Sequence, residues 1–395
     1  MPWKATSVVD ERMMFVSRVR NGERVSELCR EYGISRKTGY KLLERYKNSG
    51  LAGLEDKSRA RLTVRHRTST EMEELLIEAR RSHPTWGARK LFAWLSQRRP
   101  ELRVPAISTI SRVLRRHDLV QPKRQRRGGV LPYGAKLRNT KGPNELWCID
   151  FKGQFRMGNG QLCYPLTVTD HYSRYLLGCE ALESTKGIPA KQALKRVFEE
   201  YGLPTAIRSD NGVPFATQSI AGLSELSVWW LKLGILPERI EPGHPEQNGR
   251  HERMHLTLKR ETTRPARTNL LQQQETFDEF MHVYNLERPH EALDDLPPAT
   301  AYTASSRRLP KHDPEPDYPL HDRTLRVSRS GSVSFGSPRR GYVLGRVLAN
   351  ELVGFREVED GLWLVTFANL DLGHINLKTR QFDPMEDFFL EHLAS

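Results

Sequence analysis

Residues 146–152 read Leu-Trp-Cys-Ile-Asp-Phe-Lys, an apolar run that leads into a carboxylate. Bulky apolar residues of this kind favour extended backbone, so the run predicts a buried strand that carries Asp150 to the edge of a sheet. Residues 204–209 predict a second short strand, which leads into Asp210-Asn211-Gly212. Because Asn-Gly favours a tight turn, we expect the side chain of Asp210 to be exposed there. Two predicted strands therefore end in an aspartate.

The sequence around these strands predicts a mixed sheet with helices on its faces. Apolar runs at 162–169 and 174–181 indicate two more strands, and Gly158-Asn159-Gly160 is a turn signal before the first of them. The elements predicted further along are a helix at 189–201, a helix near 218–233, a strand at 236–240 and a helix at 246–262. Consecutive strands followed by alternating helices and strands are typical of such a sheet.

Positive charge is concentrated in the first third of the chain. The 395 residues carry a formal net charge of +14, and residues 1–140 contain 32 lysines and arginines against 14 aspartates and glutamates. That segment carries +18, and the remainder carries −4. A basic excess confined to one part of a chain indicates a segment that binds a polyanion, joined to a part with a different role. A merely solvated basic face is the alternative.

Two helical modules are predicted in this basic third, at 1–60 and 61–120. In the first, helices at 9–20 and 25–32 precede a third that Ser35 can cap, which is the order of a helix-turn-helix domain. In the second, Thr70 and Glu73 form a potential capping box before helices at 71–82, 86–95 and 107–116. The residues expected to contact DNA are Arg36, Lys37, Lys41 and Arg45 in the first module and Arg112, Arg115 and Arg116 in the second.

A basic linker and a core precede a small β unit in the predicted domain order. Residues 121–143 are rich in proline and glycine, and their cationic side chains either lie along DNA phosphates or stay solvated. Those side chains are Lys123, Arg124, Arg126 and Arg127. We expect the core to span 144–305. Short alternating stretches at 324–327, 332–335 and 362–367 predict a small all-β domain over 315–395.

Composition disfavours several classes of protein. No apolar run approaches the ~20 residues that a membrane helix needs, and the N-terminus lacks the apolar block of a signal peptide. We therefore expect a cytoplasmic protein with no membrane partner, which is associated with the nucleoid when it is bound to DNA. The four cysteines are scattered and form no C-x-x-C pair, which indicates reduced thiols rather than a zinc ribbon or a redox dithiol.

Asp150, Asp210 and Glu252 are the candidate catalytic residues. Only folding could bring together acids that lie so far apart in the sequence. Hard oxygen ligands on neighbouring elements suit Mg²⁺. Two such ions, ~3.5–4 Å apart, can activate the attacking oxygen and stabilise the leaving oxygen in an in-line phosphoryl transfer. Any one of these acids alone is more simply explained as a surface residue or a helix cap.

Five motifs in the chain resemble the integrase core of bacterial insertion-sequence transposases, which belong to the retroviral-integrase superfamily with a D-D-E triad. The motifs are Trp147-x-x-Asp150-Phe151-Lys152-Gly153, the run from Thr169 to Tyr175, the run from Arg208 to Phe215, Pro242-Gly243-His244-Pro245 with Gln247-Asn248-Gly249, and Asn285-x-x-Arg288-Pro289-His290. The resemblance extends over roughly residues 1–380.

This resemblance implies a multidomain α+β protein, in which paired helix-turn-helix modules precede an RNase H-like α/β catalytic core and a small C-terminal β-barrel follows. It implies that Asp150, Asp210 and Glu252 bind Mg²⁺, for which Mn²⁺ can substitute. The implied reaction is metal-dependent 3′-end nicking at the ends of a mobile element, followed by strand transfer into target DNA. The implied partners are double-stranded DNA and further copies of the chain. The interval from Asp210 to Glu252 is long for the superfamily, which predicts a lengthened helix near 218–233.

Three nearby side chains are weaker candidates for the site. Glu246 lies six residues before Glu252, at the mouth of the helix, where a carboxylate can simply oppose the helix dipole. Asp170 could assist the metal, or it could hydrogen-bond to the backbone or to Arg174. Lys259 lies seven residues after Glu252 on nearly the same helix face, so it could contact DNA phosphate or be a solvated lysine.

Two other functions fit parts of the sequence. Residues 251–255 spell H-E-x-x-H, the pattern of zinc peptidases, in which both histidines bind zinc and the glutamate polarises a water. Short patterns of this kind arise by chance, and a peptidase would leave the basic third, Asp150 and Asp210 unexplained. A DNA-binding regulator that descends from a transposase is the third possibility, which the intact acids disfavour.

Overall fold

The computed structural model describes residues 7–56, 68–120, 140–217, 219–240, 248–335 and 341–385. The chain divides into two compact units, Met1–Thr68 and Ser69–Ser395. Each unit has its own hydrophobic core and is described by itself.

The described residues of the first unit form the α-helices α1 (Val8–Arg20), α2 (Val25–Glu31) and α3 (Arg36–Ser49) and a 3₁₀ helix (Gly50–Leu54). Phe15, Leu28 and Leu42 pack together in its core. The hydroxyl of Ser35 accepts a hydrogen bond from the Thr38 amide at 3.2 Å and so caps α3. The helices and the cap that the sequence predicted for this unit are confirmed.

The second unit begins with three more helices, α4 (Thr70–Ser82), α5 (Ala88–Arg98) and α6 (Ile107–Arg116). Trp86, Leu91 and Ile110 are almost fully buried in the core that these helices share. The cap of α4 differs from the prediction, because the Ser69 hydroxyl, and not that of Thr70, accepts the hydrogen bond of the Met72 amide. We refer to residues 69–120 as the second helical module.

A mixed sheet forms the centre of the second unit, as the sequence predicted. Its strands are β1 (Leu146–Phe151), β2 (Phe155–Arg156), β3 (Leu162–Asp170), β4 (Leu176–Leu182), β5 (Ala206–Ser209) and β6 (Leu236–Arg239). Strand β1 lies between β3, to which it is antiparallel, and β5, to which it is parallel, and β6 continues the sheet parallel to β5. Strand β3 also pairs with β4 and, near its start, with β2.

Four helices surround this sheet, α7 (Gly187–Tyr201), α8 (Glu225–Lys232), α9 (Gly249–Thr262) and α10 (Leu270–Leu286). The largest core cluster packs Trp147 of β1 against Phe198 of α7 and Trp230 of α8. The prediction of a lengthened helix near 218–233 is wrong, because α8 has only 8 residues. A short 3₁₀ turn at 220–222 precedes it. Helix α10, with 17 residues, was not predicted.

The C-terminal part is an all-β unit, as predicted, but a β-barrel is not confirmed. Strands β7 (Arg323–Arg326), β8 (Ser332–Ser334), β9 (Gly341–Val343), β10 (Leu352–Glu359), β11 (Leu362–Phe367), β12 (Leu370–Asn376) and β13 (Gln381–Pro384) are all antiparallel to their neighbours. Five of them form an open sheet in the order β13-β12-β11-β10-β7, and β8 and β9 form a separate hairpin. Within the described residues, no ladder joins the two edges of the larger sheet.

This β unit shares a hydrophobic core with the sheet-flanking helix α8. Leu223, Val228 and Leu231 belong to the same buried cluster as Phe355 and Val365. Lys232 at the end of α8 also pairs with Glu351 at 3.0 Å. Because these contacts are apolar and extensive, the β unit is packed onto the core and not merely tethered to it.

The four cysteines agree with the prediction of unpaired thiols. Cys29, Cys148, Cys163 and Cys179 are free and buried. Among the described residues, no helix combines the length and the apolar character that crossing a membrane requires.

Candidate active site

The two aspartates lie at the same edge of the central sheet. In the parallel pair of β1 and β5, Leu146 is opposite Ala206 and Cys148 is opposite Arg208. The same register, continued by two residues, brings Asp150 beside Asp210. Neighbouring strands are about 4.8 Å apart. The sheet therefore brings together two carboxylates that are separated by 60 positions in the sequence.

A buried ion pair holds the strand that leads to Asp210. Arg208 of β5 donates a hydrogen bond from Nε to Glu238 of β6 at 2.6 Å, and the two side chains are 1% and 6% exposed. The Asp210 carboxylate itself accepts a hydrogen bond from the Gly212 amide at 3.2 Å. The turn after β5 thus orients the carboxylate and leaves it partly exposed.

Glu252 lies in the first turn of α9, on the exposed side of that helix. The opposite side of α9 is buried, and Met254 and Leu258 on that side pack in one cluster with Cys163 and Leu176 of the sheet. Since α9 is fixed by this buried face, Glu252 is held near the sheet edge while its carboxylate remains in solvent.

The pKa of Asp150 reports on its surroundings. Burial raises this pKa to about 7, and the negative charge of Asp210 adds to the effect. The charge of Glu252 raises it further, while the Phe151 amide and Lys152 act in the opposite direction. Like charges act in this way only when they are near one another. All three acids are therefore electrostatically coupled at one end of the sheet.

Two histidines of α9 lie behind Asp150 and are tied to β3. The hydroxyl of Thr167 lies 2.8 Å from Nε2 of His251 and 2.6 Å from Nε2 of His255. The same hydroxyl donates to the Asp150 carbonyl at 3.1 Å, so it can accept from both imidazoles. Thr169 completes the network at 2.7 Å from Nδ1 of His251. The network fixes the backbone that carries Asp150.

Both imidazoles in this network are neutral. Burial lowers the pKa of His251 to about 3 and that of His255 to about 2. Nδ1 of His255 lies 3.6 Å from the Asp150 carboxylate. Because the imidazole is uncharged near neutral pH, we interpret this approach as a polar contact and not as an ion pair.

The tightest group of metal-ligand atoms among the described residues consists of Asp150, His251 and His255, within 4.8 Å of one another. The carboxylates of Asp210 and Glu252 lie outside this group. Three of the four histidine nitrogens already have hydroxyl partners, and Glu252 lies on the exposed face of the helix. This geometry disfavours the zinc-peptidase alternative. The three coupled carboxylates instead offer the oxygen ligands that suit Mg²⁺.

The neighbouring acids have different surroundings. Asp170 is buried and accepts hydrogen bonds from the Asn144 amide at 2.8 Å and from the amide and hydroxyl of Ser173 at 2.7 and 2.6 Å. These bonds give Asp170 a structural role at the start of a turn, as the backbone-bonding alternative predicts. Glu246 lies outside the described residues.

The predicted DNA contacts of the first unit separate into two groups. Arg36, Lys37 and Lys41 are exposed on one side of α3. Arg45 is only partly exposed, and its guanidinium donates to the carbonyl of Glu55 within the same unit. Arg45 thus holds the segment that follows α3, and the structure offers the first three side chains more freely to a partner.

A similar division holds in the second helical module. Arg112 and Arg115 are exposed on α6, whereas Arg116 pairs with Glu73 at 3.0 Å. Lys259 is exposed on α9. The predicted linker contacts at Lys123, Arg124, Arg126 and Arg127 lie outside the described residues.

The sequence did not reveal the residues that support the site. Thr167, Thr169 and the pair Arg208–Glu238 were not singled out, because their roles depend on strand register. The spacing of His251 and His255 was noticed, but only as a zinc pattern. That spacing places both on one face of a helix, which was the signal available for a shared buried partner.

Sequence families match most of the described domains. Two Integrase core domain families match residues 140–245 and 233–298. A Helix-turn-helix domain family matches residues 11–61, and a Homeodomain-like domain family matches residues 38–114. The matches therefore extend over both helical modules and the central sheet.

The most similar proteins include products of bacterial insertion elements. A 31.7 kDa protein of insertion element IS407 from Burkholderia multivorans is 28% identical over 191 residues, which are 48% of this chain and 66% of that protein. A 39.2 kDa protein of IS476 from Xanthomonas euvesicatoria is 27% identical over 253 residues, which are 63% of this chain and 69% of that protein. The Gag-Pol polyprotein of baboon endogenous virus is 31% identical over 134 residues, 34% of this chain but only 7% of the polyprotein.

Solved structures of retroviral integrases align only loosely. The magnesium-bound catalytic core domain of HTLV-2 integrase, in its trimeric form, covers 42% of this chain and all of its own at 14% identity, with a TM-score of 0.34. The intasome of simian T-cell lymphotropic virus in complex with PP2A regulatory subunit B56 gamma covers 76% of this chain and 97% of its own at 16% identity, with a TM-score of 0.37. With likenesses this low, the family matches and the insertion-element relatives are the firmer basis. On that basis the chain is similar to helix-turn-helix and integrase core domain families and to proteins of bacterial insertion elements.

Proposed function

We propose that this chain is a transposase that binds the ends of its mobile element, nicks their 3′ ends and joins them to target DNA. Asp150, Asp210 and Glu252 are the proposed catalytic and metal-binding residues. The observation that carries the proposal is that Asp150 and Asp210 follow the paired strands β1 and β5 at the same end, where burial and then the charge of Asp210 raise the pKa of Asp150 to about 7. A divalent cation would relieve the repulsion among them.

The chain's own residues hold and orient the proposed ligands. The parallel pairing of β1 and β5 supports a position of Asp150 near Asp210, and the charge of Glu252, in the first turn of α9, acts on Asp150. Three carboxylates in this arrangement suit Mg²⁺, and Mn²⁺ should substitute for it. When bound, the metal would activate the attacking oxygen and stabilise the leaving oxygen of a phosphodiester. Thr167 keeps the Asp150 backbone in place through its hydrogen bond to the carbonyl.

The helical modules are the proposed grip on DNA. Exposed cations on α3 and α6 would contact phosphates and groove edges of the element ends, and Lys259 would contact phosphate near the scissile bond. Joining two ends requires that two active sites act together, so we propose that the chain works as a homo-oligomer on DNA. The proposal includes the domain boundaries predicted from the sequence, which lie at residues 60, 120, 143 and 305.

Strand joining in vitro tests the assignment. The substrates are duplexes from the two flanks of the coding region together with a supercoiled target plasmid. Asp150→Asn, Asp210→Asn and Glu252→Gln should each abolish Mg²⁺-dependent joining and leave end binding nearly intact, because they remove a ligand and no DNA contact. Glu275→Gln, which alters an exposed acid on α10, is the matched control and should join normally.

The outcomes separate the alternatives. Normal joining by all three variants would refute the triad. A wild-type protein that binds the flanks specifically but never nicks or joins them would be the DNA-binding regulator. Hydrolysis of casein by a protein that contains stoichiometric zinc would support the zinc-peptidase alternative instead.

A further inference from the structure

We infer that the second helical module is fixed rigidly to the helix that carries Glu252, so that the chain sets a constant distance between the DNA held by α6 and the active site. This inference rests on the proposed function and adds a rule for where the DNA is cut. Its basis is a set of contacts between the module and residues 261–295, which we call the module–core contact.

Arg89 and Gln97 of α5 make the first part of the module–core contact. The Arg89 guanidinium donates to Glu291 at 2.7 Å and to Asp295 at 3.0 Å. The Gln97 side-chain amide donates to the Asp295 carbonyl at 3.1 Å. One arginine that bridges two carboxylates restrains both position and orientation, because its donors have a fixed geometry.

The second part surrounds the end of α10. Glu287 lies 3.3 Å from Arg98 and 3.8 Å from His83, and both of these partners belong to the module. The ammonium group of Lys90 donates to the carbonyl of Pro289. Burial and the nearby Arg288 lower the pKa of Lys90 to about 8. His83 and Lys90 are partly buried here, which strengthens their polar contacts.

The third part reaches the catalytic helix itself. The Thr85 hydroxyl donates to Glu261 of α9, and Arg288 donates to the same carboxylate at 2.8 Å. Glu261 lies nine residues after Glu252 on one continuous helix, which corresponds to about 13 Å along the axis. The module thus touches the element that positions a proposed metal ligand.

Helix α6 of the module exposes its cationic side chains to solvent. Arg112 and Arg115 are exposed, while Ile110, Val113 and Leu114 of the same helix are buried against α4 and α5. The three helices of the module share one buried core, which links the position of α6 to that of α5. DNA held by α6 is therefore held at a set distance from the sheet edge, and the spacing between the bound sequence and the cut becomes a property of the fold.

The test compares three proteins on DNA of altered spacing. Arg89→Glu places a negative charge against Glu291 and Asp295 and loosens the module–core contact. The triple variant Arg89→Glu, Glu291→Arg, Asp295→Arg restores opposite charges. Arg81→Glu, at an exposed position of α4, is the control for charge alone. The probes are element-end duplexes with one to five base pairs inserted or removed between the footprinted sequence and the joined terminus.

Wild type and Arg81→Glu should nick at a constant number of base pairs from the footprinted sequence. This number should stay the same when insertions or deletions move the native terminus. Arg89→Glu should spread its nicks over several neighbouring positions and lose roughly tenfold in joining at the main one, since one clamping arginine is lost. The triple variant should recover the single offset. Equally sharp cutting by Arg89→Glu, or wild-type nicks that follow the moved terminus, would overturn the inference.

A distance measurement keeps the inference testable if wild type proves inactive. Spin labels at Ser108→Cys on α6 and Arg260→Cys on α9 should give one narrow distance distribution by pulsed electron resonance, and Arg89→Glu should broaden it. A broad distribution in the otherwise wild-type protein would overturn the rigid contact. Inactivity with a narrow distribution would instead count against the proposed function alone.

Discussion

At the scale of single residues, Asp150 should make the stability of the metal-free protein depend on pH. Its folded pKa of about 7 lies above the unfolded value of 3.8, so the folded state keeps the proton longer. The contribution of this group is fully present below pH 3.8 and is lost as pH rises through about 7. Asp150→Asn, which cannot ionise, should escape that loss.

We therefore expect Asp150→Asn to be more stable than wild type at pH 8 by a few kcal/mol, and close to wild type at pH 4. Urea unfolding in the presence of a chelator at both pH values measures the difference. If Asp150→Asn changed the unfolding free energy by the same amount at both pH values, burial and like charges would not act on this carboxyl group.

The hydroxyl of Thr167 gives a second prediction at the same scale. Thr167→Val keeps the shape but leaves the Nε2 atoms of two buried imidazoles without their hydroxyl partner, at a cost of about 2–4 kcal/mol in unfolding free energy. Thr167→Ser keeps the hydroxyl and should cost only about 1 kcal/mol for the lost methyl group. Chemical denaturation of the two variants compares them, and a Ser variant as unstable as the Val variant would contradict the hydrogen-bond role.

At the scale of elements, the buried pair Arg208–Glu238 joins two strands of the active-site edge. Glu238→Gln should destabilise the protein by about 3–5 kcal/mol, because it leaves an arginine charge buried without its counter-charge. The pair Arg196–Glu180 is also close, at 2.6 Å, but Arg196 is 57% exposed. Glu180→Gln should therefore cost less than about 1 kcal/mol. Equal losses in thermal unfolding would mean that burial does not separate the two pairs.

Elements that depend on local sequence were predictable, and those that depend on distant partners were not. Strands β1 and β5 were predicted because their residues are apolar and end in turn signals. Helix α8 came out much shorter than predicted, since Leu223 and the preceding turn pack on the C-terminal sheet. Helix α10 escaped notice, although Phe277 and Tyr284 on its buried side lie seven residues apart.

The candidate site was predictable in its acids but not in its supports. A strand that ends in an aspartate can be read from the chain alone. The place of Thr167 opposite Asp150 requires the β1–β3 register, which no local pattern provides. The β-barrel expected for the C-terminal unit was implied by the family resemblance. Local sequence does not predict closure of a barrel, because closure depends on how the two edges of a sheet meet.

At the scale of the whole molecule, the basic first third predicts binding that depends strongly on salt. Replacing Lys41 by Ala should weaken DNA affinity for all sequences and lower the slope of log affinity against log salt by about 1, since one phosphate contact is lost. Arg45→Ala should instead lower the stability of the first unit, because Arg45 holds the Glu55 carbonyl. Fluorescence anisotropy at several salt concentrations, with a melting curve for each variant, distinguishes these effects. If Arg45→Ala lowered the slope of log affinity against log salt without loss of stability, Arg45 would be a DNA contact and not a support of the fold.

The apolar seam between α8 and the C-terminal sheet limits how this molecule can be divided. A chain that stopped near residue 310 would keep every proposed metal ligand, yet Leu223, Val228 and Leu231 would lose their covering and face water. A patch of that kind promotes self-association. The residues after 310 contribute no acid to the proposed site, but they keep this apolar surface out of water and so keep the central sheet and its helices soluble.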